Sequence, residues 1–201
     1  FVSDFQPVPK PAAIDGCWVH SVASALDHLD RRIVQGLRYV LLVAVNAKPS
    51  LELAQSDAFC VHQVLMQARR RWGDAITLIA DVGLSPYQQS GHSVIYEDDQ
   101  INHEASYRAV VQLALSFARA GADAVAPCLS LPEQTGRIRQ SFDAVSLGCE
   151  VFPYSTKFSS SLYGPYRQAI GSKLGPLRKS YQFDFSDSGA AIAQMEDDVR
   201  Q

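Results

Sequence analysis

The sequence contains no hydrophobic run approaching the roughly 20 residues that a membrane helix requires, so no membrane partner is expected. Its four cysteines, Cys17, Cys60, Cys128 and Cys149, are scattered and form no C-x-x-C pair. That spacing argues against a disulfide framework and against a structural zinc knuckle. An excess of one charge is also lacking: 18 lysines and arginines against 21 aspartates and glutamates leave a net charge of -3. Such a balance offers no field to draw in nucleic acid or an anionic surface. The basic run Arg69-Arg70-Arg71 is short and isolated, and it suits the carbonyl end of a helix better than a nucleic-acid patch. No charged-then-apolar leader follows Phe1, and a cytoplasmic setting is the expectation.

What is present is ordinary for a globular chain. With 201 residues, 47% of them apolar and 19% charged, the chain reads as a single domain over residues 1–201 with a sizeable core. Pro7, Pro9 and Pro11 mark an extended entry segment. Ser21 is placed to cap a helix through about Gln35, closed by Gly36. The continuous apolar run Tyr39 to Val45 predicts a strand buried on both faces. A second helix is expected over about Ala58 to Trp72, with Val61, Val64, Leu65 and Ala68 inward. Ile76 to Val82 reads as the next strand and ends at Asp81; a long loop from Gly83 to Ser93 follows it. Asn102 then caps a helix to Ala120, Ala124 to Ala126 forms a third strand ending near Cys128, and a helix runs from about Gly136 to Val145. The run Val151, Phe152, Tyr154 has strand character and leads to Lys157; Ser180 to Phe183 is a short fifth strand, and Ser188 to Arg200 a closing helix. This alternation means a parallel α/β arrangement whose strand ends share one rim. Asp81, Cys128, Lys157 and Gln182 fall at successive strand ends.

Lys157 is the residue in that set with distinctive chemistry. A lysine among other cations and out of water gives up its proton more readily, and a neutral amine attacks a ketone to form a Schiff base. Arg167, Arg178 and Lys179 supply cations downstream. A solvated lysine at a strand end remains the plain alternative, and one such lysine on a β/α rim also fits a class I aldolase or decarboxylase.

The residues around it narrow the choice. Y-S-T-K-F-S-S-S-L-Y-G-P-Y-R, residues 154–167, closely resembles the Schiff-base segment of the porphobilinogen synthase (5-aminolevulinate dehydratase) family. L-I-A-D-V-G-L-S-P-Y-Q-Q-S-G-H-S, A-R-A-G-A-D-A-V-A-P and R-K-S-Y-Q-F-D resemble three further family segments. The resemblance implies a parallel (β/α)8 barrel of the TIM type, of which this chain supplies about the first five βα units. It implies a hydro-lyase that condenses two 5-aminolevulinate molecules into a pyrrole for haem and other tetrapyrroles, in a homo-oligomer. By the same resemblance Lys157 is the first Schiff-base lysine. Arg167 and Arg178 clamp a substrate carboxylate, a role suited to a planar bidentate donor. Gln182 lies beside them, and Asp81 is an active-site aspartate.

The chain departs from the family pattern in three places. Zinc-dependent members carry three cysteines in the loop after Asp81, where this chain has Gly83, Ser85 and Ser93 and a lone His92; no catalytic metal or other cofactor is expected. After the third strand, Cys128 and Leu129 stand where the family has Ser and Asp, with a short insertion before Gly136; Cys128 reads as a small buried residue rather than a reactive thiol. The strand with the second Schiff-base lysine lies, in the family, beyond the position of Gln201. Five strands cannot close an eight-stranded barrel, so the reading frame is expected to continue. A short form that pairs with another copy, and a degenerate homologue acting as an interaction subunit, are the alternatives.

Overall fold

The computed structural model describes residues 1–172 and 180–201. Its elements in order are β1 (Lys10–Pro11), β2 (Trp18–Val19), α1 (Val22–Val34), β3 (Tyr39–Leu42), α2 (Leu51–Ala54), α3 (Cys60–Trp72), β4 (Thr77–Val82), β5 (Tyr96–Glu97), β6 (Gln100–Ile101), α4 (His103–Arg119), β7 (Ala124–Pro127), α5 (Gln134–Ala144), β8 (Glu150–Val151), α6 (Gly164–Ala169) and α7 (Ser188–Arg200). The central sheet has the order β3-β4-β7-β8, and every pairing in it is parallel. The strands alternate with helices, which makes this part of a β/α barrel. No helix among the described residues is long and apolar enough to cross a membrane.

Local rules account for most helix boundaries. Ser21 accepts a hydrogen bond from the Ser24 amide, and Asn102 accepts one from the Ala105 amide; each cap satisfies an amide with no partner inside its helix. Helix α3 buries Val61, Val64, Leu65 and Ala68 as its spacing requires, and Phe117 and Leu113 of α4 are fully buried beside them. Each such side chain removed from water stabilises the fold by about 1.5–3 kcal/mol. The basic end of α3 is held locally: Arg69 Nη1 donates to the Gly73 carbonyl at 2.7 Å, and its Nη2 donates to the Gly121 carbonyl at 3.1 Å.

The two faces of the sheet differ. The register puts Val40, Leu42, Leu78, Ala80, Val82 and Val125 on the helix-covered face, where Leu78, Ala80, Val82 and Val125 are wholly buried. Tyr39, Leu41, Ile79 and Asp81 share the opposite face, and there Tyr39 is 69% and Leu41 43% exposed. The expectation that the first strand is buried on both faces is therefore corrected. Among the described residues, strand β3 lies at the edge of the four-stranded sheet, and Tyr39 and Leu41 on its inner face stay open to solvent.

Other boundaries moved as well. The run leading to Lys157 pairs regularly only at Glu150 and Val151, although the Phe152 and Tyr154 amides still donate to the Val125 and Pro127 carbonyls. The fifth strand is reduced, among the described residues, to an isolated parallel bridge between Phe158 and Phe183. The long loop after β4 is followed by an unforeseen hairpin, β5-β6, turned through Asp98 and Asp99, both at positive φ; that is the conformation a two-residue hairpin turn demands.

Candidate active site

Asp81 occupies the carboxyl end of β4 and is buried on the inner face. Burial pushes its carboxyl up to about 6; the Lys157 ammonium pulls the other way, as do hydrogen bonds from the Tyr154 hydroxyl and the Gly83 amide. Desolvation wins because no solvent reaches the ionised form. A carboxyl near 6 exchanges its proton readily at neutral pH, as a general acid or base must.

Lys157 is only 8% exposed. Its Nζ donates to the Cys128 carbonyl at 3.3 Å and stands 5.6 Å from the centre of the Tyr163 ring. The Arg167 guanidinium lies 5.7 Å from that same ring, so amine and guanidinium flank one aromatic surface, a favourable arrangement for both cations. Tyr163 ends the 3₁₀ turn Ser161–Tyr163 and directly precedes α6, which carries the buried Arg167. The Lys157 backbone is fixed by the bridge: its carbonyl accepts from the Phe183 amide at 3.0 Å, and the Ser159 amide donates to the Phe183 carbonyl at 2.8 Å. Gln182 precedes Phe183, is 5% exposed, and neither end of its carboxamide has a partner among the described residues. The structure thus gathers Asp81, Cys128 and Lys157 directly, joins Arg167 through Tyr163, and brings Gln182 in through the bridge. Arg178, like Lys179, lies outside the described residues.

Several tyrosines were missed as site residues. Tyr154 reads from the sequence as an apolar strand residue, yet its phenol feels the Asp81 charge, and burial raises it above its usual range. Tyr87 and Tyr166 also feel the Asp81 charge, and burial raises both phenols well above their usual range. An aromatic hydroxyl three residues before the rim lysine was the available signal for Tyr154.

In the loop after Asp81, Gly83, Ser85 and Ser93 stand where the family resemblance places thiolates. Gly83 has no side chain, and a β-carbon there would fall 2.5 Å from Cys128 Sγ and 3.3 Å from Asp81 Oδ2. Cys128 is therefore a buried space-filler above Gly83, as expected of a small residue at that position. Ser85 and Ser93 are buried hydroxyls, and His92 Nδ1 lies 3.2 Å from the Tyr181 hydroxyl. Among the described residues no group of three or more His, Cys, Asp or Glu side chains converges to hold a metal.

Fold and site together define a β/α-barrel protein with a buried lysine at the rim of its parallel strands. The family model for delta-aminolevulinic acid dehydratase matches residues 1–201. The delta-aminolevulinic acid dehydratase of Methanothermobacter thermautotrophicus is 32% identical over 210 residues, covering 100% of this chain and 63% of the relative. That of Mycobacterium tuberculosis is 31% identical over 206 residues, covering 99% of this chain and 63% of the relative. The crystal structure of delta-aminolevulinic acid dehydratase (porphobilinogen synthase) from Toxoplasma gondii, in complex with the reaction product porphobilinogen, superposes with a TM-score of 0.92 at 27% identity, covering 100% of this chain and 59% of that one. The chain belongs to the delta-aminolevulinic acid dehydratase family. It spans about three-fifths of the length of these relatives.

Proposed function

We propose that this chain carries the first Schiff-base site of a porphobilinogen synthase, and that the full-length protein condenses two 5-aminolevulinate molecules. The observation that carries the reading is Gln182: a buried carboxamide with both ends unpaired among the described residues costs about 1–3 kcal/mol per unsatisfied group, and a bound carboxylate relieves part of that cost. Arg167 supplies the charge for the same carboxylate, with Arg178 assigned the same role by resemblance. The Lys157 amine attacks the ketone carbon, its proton passes to solvent or to Asp81, and the carbinolamine loses water to give the imine. Asp81, whose carboxyl burial raises to about 6, protonates the departing hydroxyl. With no side chain at Gly83 and only hydroxyls at Ser85 and Ser93, the proposed chemistry at this lysine proceeds without a metal. A cytoplasmic homo-oligomer belongs to the same proposal.

Borohydride reduction of the full-length protein with 5-aminolevulinate tests the assignment. The expected product is a covalent adduct on Lys157, absent from Lys157→Ala, together with pyrrole formation by the wild type. Labelling of Lys157→Ala to the same extent as the wild type, or no adduct on the Lys157 peptide in an otherwise active wild type, removes Lys157 from the mechanism.

A further inference from the structure

One phenol ties down the loop that holds thiolates in zinc-dependent relatives. Tyr181 is buried; its hydroxyl accepts from the Ser93 amide at 3.2 Å and lies 3.2 Å from His92 Nδ1. The hydroxyl donates to Nδ1 when the imidazole carries its proton on Nε2. The His92 ring packs against Tyr96 with centroids 4.7 Å apart, and the Tyr96 hydroxyl is 2.7 Å from Ser180 Oγ. Gln88 Nε2 donates to the His92 carbonyl at 2.9 Å, closing the loop on itself. The two residues before Gln182 are thus both gripped by the loop and its hairpin, while the residue after it is paired to Lys157.

We propose that the Tyr181–His92 clasp anchors the loop in place of a metal, and that Tyr181 is a positioning residue for Gln182. The clasp links the segment ending at Ser93 to the strand position that aims Gln182, so loop order and substrate capture rise and fall together. Its link to capture rests on the reading of Gln182 as a substrate contact; the clasp itself does not.

The test uses the full-length protein and two readouts, hydrogen exchange of the loop amides 84–94 and the 5-aminolevulinate concentration that half-saturates borohydride trapping. Tyr181→Phe and His92→Ala each remove a neutral hydrogen-bond link, so loop exchange and the half-saturating concentration should both rise on the order of tenfold. The plateau of trapped Lys157 should stay unchanged, because the clasp does not touch the reacting atoms. His92→Asn, which keeps a side-chain acceptor, should recover part of both losses, and a chelator should alter neither readout in the wild type. Unchanged loop exchange in Tyr181→Phe overturns the clasp, as does no recovery in His92→Asn. A chelator-induced loosening that zinc reverses overturns the metal-free anchoring. If the wild type traps no substrate at all, the functional reading fails, while loop exchange still judges the clasp.

Discussion

Replacing Asp81 by Asn should make the protein more stable at neutral pH and less able to form the Schiff base. The native carboxyl is buried and its folded value is about 6, against 3.8 for the free side chain. A carboxyl raised in this way binds its proton more tightly in the folded chain. Its contribution to stability is therefore fully present below 3.8 and is lost as pH rises through about 6. At about 1.4 kcal/mol per unit, ionisation costs the fold about 3 kcal/mol at pH 7 and above. Asn escapes that cost, but its amide nitrogen faces the Lys157 side as a second donor, so the net gain should be about 1–3 kcal/mol. For a chain of this size that raises Tm by on the order of 2–10 °C. The assay is urea unfolding of both proteins from pH 4 to pH 8, treated as a two-state transition. The two curves should meet near pH 4 and separate as pH rises, with Asp81→Asn the more stable. Borohydride trapping should fall in the same variant, because the proton donor is gone. A gap that does not change with pH would falsify the assignment of the buried charge, and a wild type that gains on the variant as pH rises would reverse its sign.

His62 is fully buried between Phe59 and Phe117 with both ring nitrogens unpaired among the described residues, and burial lowers its pKa. Its stability contribution is lost as pH falls below 6.5 toward the lowered folded value; His62→Leu should raise stability by about 1–3 kcal/mol and flatten that acid limb in a thermal-melt series. Gly83→Ala forces a β-carbon against Cys128 Sγ and should cost about 1–3 kcal/mol, most of it recovered in Gly83→Ala with Cys128→Ala; additive losses in urea melts would show that the two positions do not touch. Arg167→Lys keeps the charge but loses the planar fork, so the half-saturating 5-aminolevulinate concentration should rise by about tenfold or more with the trapping plateau retained; an unchanged titration removes Arg167 from the carboxylate contact.

The sequence by itself determined the order of the main strands and helices, most helix ends to within about two residues and the face each long helix buries, but not the small elements β1, β2, α2 and β5-β6. Those features follow short-range rules: Ser21 and Asn102 cap because a side-chain oxygen reaches an amide three residues on, and α7 falls over Ser188–Arg200 where its pattern placed it. The motif around Lys157 was equally local, and so was the deficit of metal donors at Gly83, Ser85 and Ser93. Only the tertiary structure decided what lies opposite what. Tyr39 and Leu41 look like core residues in a one-dimensional string, and they are exposed because β3 is an edge strand with an open inner face. The fifth strand shrank to the bridge at Phe158 and Phe183 because pairing depends on a partner distant in sequence. The pull of Asp81 on the Tyr154 phenol, the Tyr163 ring near two cations, the Cys128 sulfur over Gly83 and the Tyr181 hold on His92 all join residues dozens of positions apart or around a turn. Periodicity and propensity carry no information about such contacts, since the distances they set exist only once the sheet has brought its strand ends to one rim.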